Sequence, residues 1–126
     1  MPGPPKSPEA CDLLFVEHVN AEDLDALLSL YEPTCRMVRR DGSVAQGHAE
    51  IRAVLERVIA IRARMTSEIV KVVTCDEVAM VYNDWQMSAK RPDGRPVEAA
   101  GKALEVVRRQ PDGTWRFILD DPYARG

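Results

Sequence analysis

The chain has 126 residues, 45% of them hydrophobic, with a formal net charge of −3 and an isoelectric point near 5.4. This length is typical of one domain with a single core. The acidic balance, without a long run of lysine or arginine, argues against a nucleic-acid-binding protein. No apolar stretch approaches the roughly 18 residues that a membrane helix needs, so we expect no membrane span.

Residues 1–6 are rich in proline and lack the apolar centre of a signal peptide. They predict a disordered leader ahead of a single domain over residues 7–126. The three cysteines, Cys11, Cys35 and Cys75, are odd in number and widely spaced, which argues against a disulfide framework or a zinc site. We therefore expect free thiols in a reducing, cytoplasmic setting.

The first part of the chain has helical periodicity. Ser7 is a capping residue, and apolar side chains recur at helical spacing over residues 8–19. A second apolar stripe, whose last member is Tyr31, predicts a helix over residues 21–32 that Pro33 ends. These two segments predict an αα-hairpin.

A short strand pair and a third helix are predicted next. Residues 35–40 and 43–46 have strand character and are joined by a tight turn at Asp41-Gly42. An amphipathic helix begins at Gly47, with Ile51 and Leu55 in its apolar stripe.

From about residue 66 the hydrophobic period changes to two, which is typical of strands. Four strands are predicted, at residues 66–75, 77–90, 96–109 and 114–121. Pro-Asp-Gly at 92–94 and again at 111–113 are matching turn signals, so residues 77–121 should form an antiparallel meander. Helices placed ahead of a long antiparallel sheet indicate an α+β fold. Strands this long usually curl and leave a cavity between sheet and helices.

Three phrases resemble a known superfamily: Asn20-Ala-Glu-Asp23 with the leucine-rich stretch after it, Gln46 to Arg52, and Gly101 to Asp120. With the order of elements, they are similar to the SnoaL-like, ketosteroid-isomerase-homologue subgroup of the nuclear-transport-factor-two-like superfamily. The resemblance implies a cystatin-like cone, in which three N-terminal helices pack on a curved, mainly antiparallel sheet and enclose a pocket. It says little about the reaction, because one fold hosts many functions.

The resemblance to ketosteroid isomerase can be followed residue by residue. An ungapped alignment places that enzyme's aspartate base at Arg39, its tyrosine at Phe15 and its protonated acid at Glu105. Arginine does not give up its proton, and phenylalanine has no hydroxyl to donate. The comparison therefore argues against ketosteroid isomerase activity, although Asp41 lies only two residues from Arg39.

Two carboxyl groups are the candidate acid–base residues. Glu105 lies mid-strand between apolar neighbours, so it either faces the cavity with a raised pKa or faces solvent and pairs with Lys102, Arg39 or Arg116. Asp120 ends the last strand and is either the second acid of a pair or an ordinary capping or ion-pairing residue.

Five further residues are candidate ligand contacts. Alternation places Asn83 and Trp85 on the inner face of their strand, although a one-residue slip would exchange Asn83 for Asp84. Either Arg39 or Arg40 should face inward, where arginine needs a carboxylate partner or an anionic ligand. Phe15 and Tyr31 would shape the pocket.

Two hypotheses follow from this pattern. The first is cofactor-free acid–base chemistry, such as isomerisation, cyclisation or dehydration, on a small hydrophobic molecule. The second is a non-catalytic ligand-binding or dimerisation module of the same fold. We find no metal or cofactor motif in the sequence. The strand from Val78 to Tyr82 is apolar on both faces, so we also expect a homodimer through the outer face of the sheet.

Overall fold

Three helices and six strands make up residues 3–126, the part of the chain that the computed structural model describes. In chain order they are α1 Pro8–Asn20, α2 Leu24–Ser29, β1 Tyr31–Val38, β2 Val44–Gln46, α3 Gly47–Ala60, β3 Arg64–Cys75, β4 Val78–Lys90, β5 Pro96–Arg109 and β6 Trp115–Asp121. The predicted order of elements is confirmed. Within residues 3–126, no helix is long and apolar enough to span a membrane.

The strands form one sheet in the order β2-β1-β6-β5-β4-β3. All neighbouring strands are antiparallel except β1 and β6, which pair in parallel. The α+β class and the mainly antiparallel sheet are therefore confirmed. The parallel pair joins the helical first half of the chain to the meander.

The predicted meander over residues 77–121 is confirmed. Both Pro-Asp-Gly turns end in a glycine at φ +85°, a conformation that side-chain-bearing residues rarely adopt. The amide of Gly94 donates to the carbonyl oxygen of Arg91 at 2.8 Å, and that of Gly113 to Gln110 at 2.9 Å. The turn at Gly94 sets a register in which β4 pairs with β5 along its whole length, and the turn at Gly113 leads β5 back into its pairing with β6.

The second predicted helix is too long. The helix α2 ends at Ser29, and Tyr31 is already the first residue of β1, opposite Phe117 of β6. The amide of Phe117 donates to the carbonyl oxygen of Leu30 at 2.8 Å, so pairing with β6 overrides the helical spacing of the sequence. Pro33 lies inside β1, where the register with β6 shifts and no ladder hydrogen bond is lost to its missing donor.

The N-terminal leader also differs from expectation. Pro5 is buried, and its carbonyl oxygen accepts a hydrogen bond from the amide of Trp115 at 2.9 Å. Pro5 therefore contacts the start of β6, although it lies within the segment for which the sequence predicts a disordered leader. Residues 1 and 2 lie outside the described part of the chain.

The inner face of the sheet packs on the helices and holds the core. On β4, alternate residues Ala79, Val81, Asn83 and Trp85 are buried, as alternation predicts, and Asp84 lies on the outer face. Cys11 and Cys35 are buried free thiols, whereas Cys75 is exposed.

Gly101 of β5 lies directly opposite Trp85 and leaves room for it. The indole nitrogen of Trp85 donates to the carbonyl oxygen of Pro122 at 2.8 Å, and this hydrogen bond passes over Gly101. A Cβ atom at Gly101 would lie 2.5 Å from that carbonyl oxygen and 2.7 Å from the indole nitrogen. The segment after β6 thus closes on the sheet only because position 101 has no side chain.

We predict that Gly101→Ala lowers the free energy of unfolding by about 2 kcal/mol or more, because it forces backbone and indole apart. Urea denaturation followed by tryptophan fluorescence measures the change. Gly3→Ala is the matched control, since a Cβ there meets nothing within 4 Å. Equal stability of the two variants would show that the Trp85–Pro122 contact is dispensable.

Candidate functional site

A cavity of about 350 Å³ lies between the inner face of the sheet and the helices α1 and α3. Its walls are mainly apolar and aromatic: Phe15, Val16, Met37, Val54, Val58, Met65, Trp85 and Met87. Four polar residues form its floor: Asp12, Asn83, Glu105 and Asp120. An apolar cleft with a few convergent polar groups is the usual form of a small-molecule site.

Each floor residue comes from a different element, and each is at most 8% exposed. Asp12 lies on α1, Asn83 on β4, Glu105 on β5 and Asp120 on β6. Glu105 and Asp120 are direct cross-strand partners, so their side chains leave the sheet on the same face. The strand register therefore brings together groups that are far apart in the sequence.

The side chain of Asn83 joins two of the carboxyl groups. Its Nδ2 donates to Oδ2 of Asp12 and to Oε1 of Glu105, both at 2.9 Å. Its Oδ1 accepts from the hydroxyl of Ser67 at 3.3 Å. The amide thus has partners on both ends and holds the two acids side by side.

One carboxyl oxygen of Asp120 accepts a hydrogen bond, and the other has no partner in the described part of the chain. The hydroxyl of Tyr31, which is fully buried, donates to Oδ2 of Asp120 at 2.8 Å. Oδ1 of Asp120 is buried and has no hydrogen-bond partner among residues 3–126. Buried polar atoms are nearly always satisfied, so this oxygen is the atom most ready to meet a ligand.

Among the ion pairs of residues 3–126, none includes Asp12, Glu105 or Asp120. Removal from water raises the pKa of Asp120 to about 7, although the Tyr31 hydroxyl opposes that shift. The pKa of Glu105 lies well above its usual range because of burial and then the nearby charge of Asp12. Burial likewise raises the pKa of Asp12, against the effect of hydrogen bonds from Glu105 and Asn83.

These shifts fit a carboxyl pair that shares a proton. Two adjacent carboxylates in an apolar site repel each other, so one of them keeps its proton. Burial and then the charge of Asp12 raise the pKa of Glu105, whereas hydrogen bonds oppose the rise that burial gives to the pKa of Asp12, so Glu105 is the acid that keeps its proton. The floor therefore offers a protonated acid, Glu105, close to a carboxyl group, Asp120, that titrates near neutral pH.

The structure places most of the sequence-predicted residues around this cavity. Phe15, Asn83 and Trp85 line it together with Glu105 and Asp120. Tyr31 does not line the wall, contrary to expectation. Because it belongs to β1 and not to a helix, it lies behind Asp120 and contacts the site through its hydroxyl.

Arg39 is not the partner of Glu105. It lies beyond the end of β1, where its guanidinium is 3.7 Å from Glu50 and donates to the hydroxyl of Ser43 at 3.3 Å. The alternative pairings of Glu105 with Lys102 or Arg116 are also absent among the described ion pairs, since Glu105 points to the opposite face. Arg39 and Arg40 instead line the mouth of the cavity.

Asp12 is the functional candidate that sequence reasoning missed. An apolar stripe that begins at Cys11 and continues through Phe15 and Val19 places Asp12 on the polar side of α1. Phe15, Val16 and Val19 follow Asp12 at three, four and seven residues, the spacing of one helix face. This spacing places Asp12 on the same helix face as three apolar residues, and it was the feature of the sequence that could have identified Asp12 as facing inward.

We predict that Asp120→Asn stabilises the protein above pH 7 and flattens the pH dependence of its stability. Because the pKa of Asp120 is raised in the folded state, its contribution to stability is fully present below about pH 4 and is lost as pH rises to about 7. The part due to Asp120 is at most roughly 4 kcal/mol at full ionisation. Urea denaturation from pH 4 to 8 measures it, with the exposed Asp76→Asn as control. A stability difference between the wild type and Asp120→Asn that does not change from pH 4 to 8 would contradict the prediction.

Solved structures with this fold come from several bacteria. A ketosteroid isomerase-like protein from Erwinia carotovora atroseptica has a TM-score of 0.78 and 22% identity, over 90% of this chain and 89% of its own. A nuclear-transport-factor-two-like protein with a cystatin-like fold from Novosphingobium aromaticivorans has a TM-score of 0.75 and 15% identity, over 88% and 75%. At these identities the likeness shows the fold alone.

A third neighbour is a protein from Thiobacillus denitrificans, provisionally assigned as a calcium/calmodulin-dependent protein kinase type II association domain. Its TM-score is 0.75 and its identity 22%, over 97% of this chain and 98% of its own. No curated protein matches the chain in sequence. The sequence profile of the SnoaL-like domain, however, matches residues 14–118, which is most of the chain. The chain therefore belongs to the SnoaL-like domain family of the nuclear-transport-factor-two-like superfamily.

Proposed function

We propose that the chain is a cofactor-free acid–base catalyst that acts on a small hydrophobic organic molecule. The observation that carries this proposal is the convergence of three carboxyl groups, none of them in an ion pair within residues 3–126, at the floor of an apolar cavity. Burying such groups costs stability, and no cation in the described part of the chain forms an ion pair with them to offset that cost. Groups with pKa values moved toward neutrality are those that transfer protons efficiently at neutral pH.

The two acids have different roles in this proposal. Oδ1 of Asp120, when ionised, takes a proton from a carbon next to a carbonyl group. The resulting enolate oxygen accepts a hydrogen bond from the protonated Glu105, whose single proton is then no longer shared with Asp12. Asn83 keeps both acids in place through its two donated hydrogen bonds. Return of the proton to a different carbon completes an isomerisation with no net gain or loss of atoms.

This arrangement differs from that of ketosteroid isomerase. The name of the Erwinia neighbour refers to that enzyme, but this chain has Phe15 and Arg39 where its tyrosine and base align. A tyrosine hydroxyl is nevertheless present, since Tyr31 donates to Asp120 from β1. The proposed chemistry therefore rests on the residues found in this cavity and not on those of the relative.

Hydrogen–deuterium exchange of a bound ketone is the direct test. We predict that the protein accelerates exchange of the α-protons of 1-tetralone, a bicyclic apolar ketone, in D₂O near pH 7, measured by proton NMR. Asp120→Asn should lower the rate by about 100-fold or more, the usual contribution of a general base. Glu105→Gln should lower it by about tenfold, because the side-chain amide is a weaker hydrogen-bond donor to the enolate than the carboxylic acid.

Glu98→Gln is the matched control, since Glu98 is an exposed acid on the same strand as Glu105. It should leave the exchange rate unchanged. Exchange no faster than in buffer, or equal loss in all three variants, would contradict the catalytic proposal. Retained binding of 1-tetralone without exchange would instead support the non-catalytic alternative.

We also propose that two copies of the chain associate through the outer face of the sheet. The pairing register places Val73, Met80, Val106 and Leu119 in one row across four neighbouring strands. Val73 and Leu119 are 43% and 48% exposed although both are large and apolar. A continuous apolar row on an open sheet face is typical of an interface.

The neighbouring row on this face favours a second copy of the chain as the partner. It runs from Lys71 on β3 through Tyr82 and Leu104 to Asp121 on β6. A two-fold axis parallel to the strands would stack the rows of two copies face to face and running in opposite directions. Each Lys71 would then lie opposite Asp121 of the other copy. The Thiobacillus neighbour bears the name of an association domain, which agrees with a role of this fold in assembly.

We predict that the protein sediments at micromolar concentration with twice the 14.1 kDa mass of one chain. Val106→Lys should shift it to the monomer, because it places a charge in the centre of the apolar row. Leu13→Lys is the control, since Leu13 is 57% exposed but lies on α1. A wild-type monomer, or a Val106→Lys dimer that is folded by circular dichroism, would contradict this interface.

A further inference from the structure

The mouth of the cavity carries a different charge from its floor. At the mouth, the cavity is lined by Arg39, Arg40 and Arg57 and by the acid Glu50. Arg39 and Arg40 follow β1, whereas Glu50 and Arg57 lie two turns apart on α3. The side chain of Arg39 is 37% exposed and that of Glu50 54%, so these groups stand where the cavity opens to solvent.

These arginines are poorly neutralised. Glu50 lies 3.7 Å from Arg39, beyond hydrogen-bond distance, and the same Oε1 already accepts from the amide of Gln46 at 3.1 Å. Arg40 and Arg57 form no ion pair with residues 3–126, and the Arg40 guanidinium lies 5.8 Å from the centre of the Tyr123 ring. The mouth is thus positive on a chain whose net charge is −3.

The opposite charges at the two ends impose one orientation on a ligand. Three buried carboxyl groups disfavour an anion at the floor, while the arginines favour one at the mouth. Between the ends lie aromatic side chains, with the rings of Trp85 and Tyr123 5.5 Å apart. A molecule with an apolar body and one anionic end fits only with its anion outward.

We infer that the substrate is a small hydrophobic acid whose carboxylate binds Arg39, Arg40 and Arg57 while its apolar, reacting part reaches Glu105 and Asp120. This inference rests on the proposed function in that it takes the cavity as the substrate site. It adds the chemical class of the substrate and the residues that select it. The guanidinium fork suits a carboxylate because it donates two parallel hydrogen bonds.

Three probes that share one ring system test the inference. They are 2-naphthylacetate, its neutral primary amide, and the cationic 2-(2-naphthyl)ethylamine, each titrated calorimetrically at pH 7.5. We expect the carboxylate to bind at least about tenfold more tightly than the amide. Raising the salt concentration from 50 to 300 mM should weaken carboxylate binding, because the arginines are partly exposed, and leave the amide unaffected.

Single arginine substitutions show which side chains bind the carboxylate of the probe. Arg39→Gln and Arg57→Gln should each weaken carboxylate binding by about three- to tenfold and leave the amide affinity unchanged. Arg95→Gln removes the same charge from a turn remote from the cavity lining and should change neither affinity. Thermal denaturation confirms that each variant is folded.

Equal affinities for carboxylate and amide, tighter binding of the amine, no binding of any probe, or equal effects of all three arginine variants would overturn the inference. Its failure is separable from that of the proposed catalysis. If the carboxylate and amide bind equally but 1-tetralone exchange depends on Asp120, the acid–base proposal stands without the arginine mouth. If the arginines select the carboxylate but exchange is absent, the site binds hydrophobic acids without catalysing proton transfer.

Discussion

The pair of hydrogen bonds from the amide of Asn83 to Asp12 and Glu105 is the interaction on which the site depends. Two carboxyl groups from a helix and a strand would otherwise repel each other in an apolar cavity. The amide supplies one donor to each, and the raised pKa of Glu105 lets it keep its proton, which removes one of the charges. This arrangement lets α1 pack on β4 and β5 although it buries an acid at the contact, and it gives Glu105 a protonated state.

The buried carboxyl groups of the site lower the stability of the fold, and other contacts must offset that loss. Residues that lower stability at neutral pH persist where the rest of the structure compensates for them. Here the compensation comes from the long β4–β5 pairing and from the tilted packing of Tyr31 on Phe117, whose ring centres are 5.0 Å apart. The rings hold the Tyr31 hydroxyl against Asp120, so one side chain serves both the core and the site.

Sequence reasoning was most successful where structure depends on local signals. The two Pro-Asp-Gly turns and the alternation along β4 were enough to predict the meander and the inward direction of Asn83. It failed at Tyr31, because helical spacing continued into a segment that tertiary pairing with β6 makes a strand. It missed Asp12, and it left open whether Glu105 pairs with Arg39 or lies beside Asp120, its cross-strand partner in the structure. Partners from separate elements depend on how α1 and the β1–β2 turn are placed over the sheet, which spacing along the chain does not encode.

The charge layout of the cavity couples its two ends. Arginines at the mouth attract an anionic group, and a bound ligand displaces water from the floor at the same time. Both the added negative charge and the lower dielectric favour the protonated forms of Glu105 and Asp120. By linkage, a hydrophobic acid that prefers the protonated floor takes up protons as it binds, and its affinity falls as pH rises through the titration of Asp120. Binding of the substrate anion at the mouth is therefore coupled to the protonation state of the floor. Asp120 must still lose its proton before it can act as a base, and this ionisation weakens the binding of the anionic substrate.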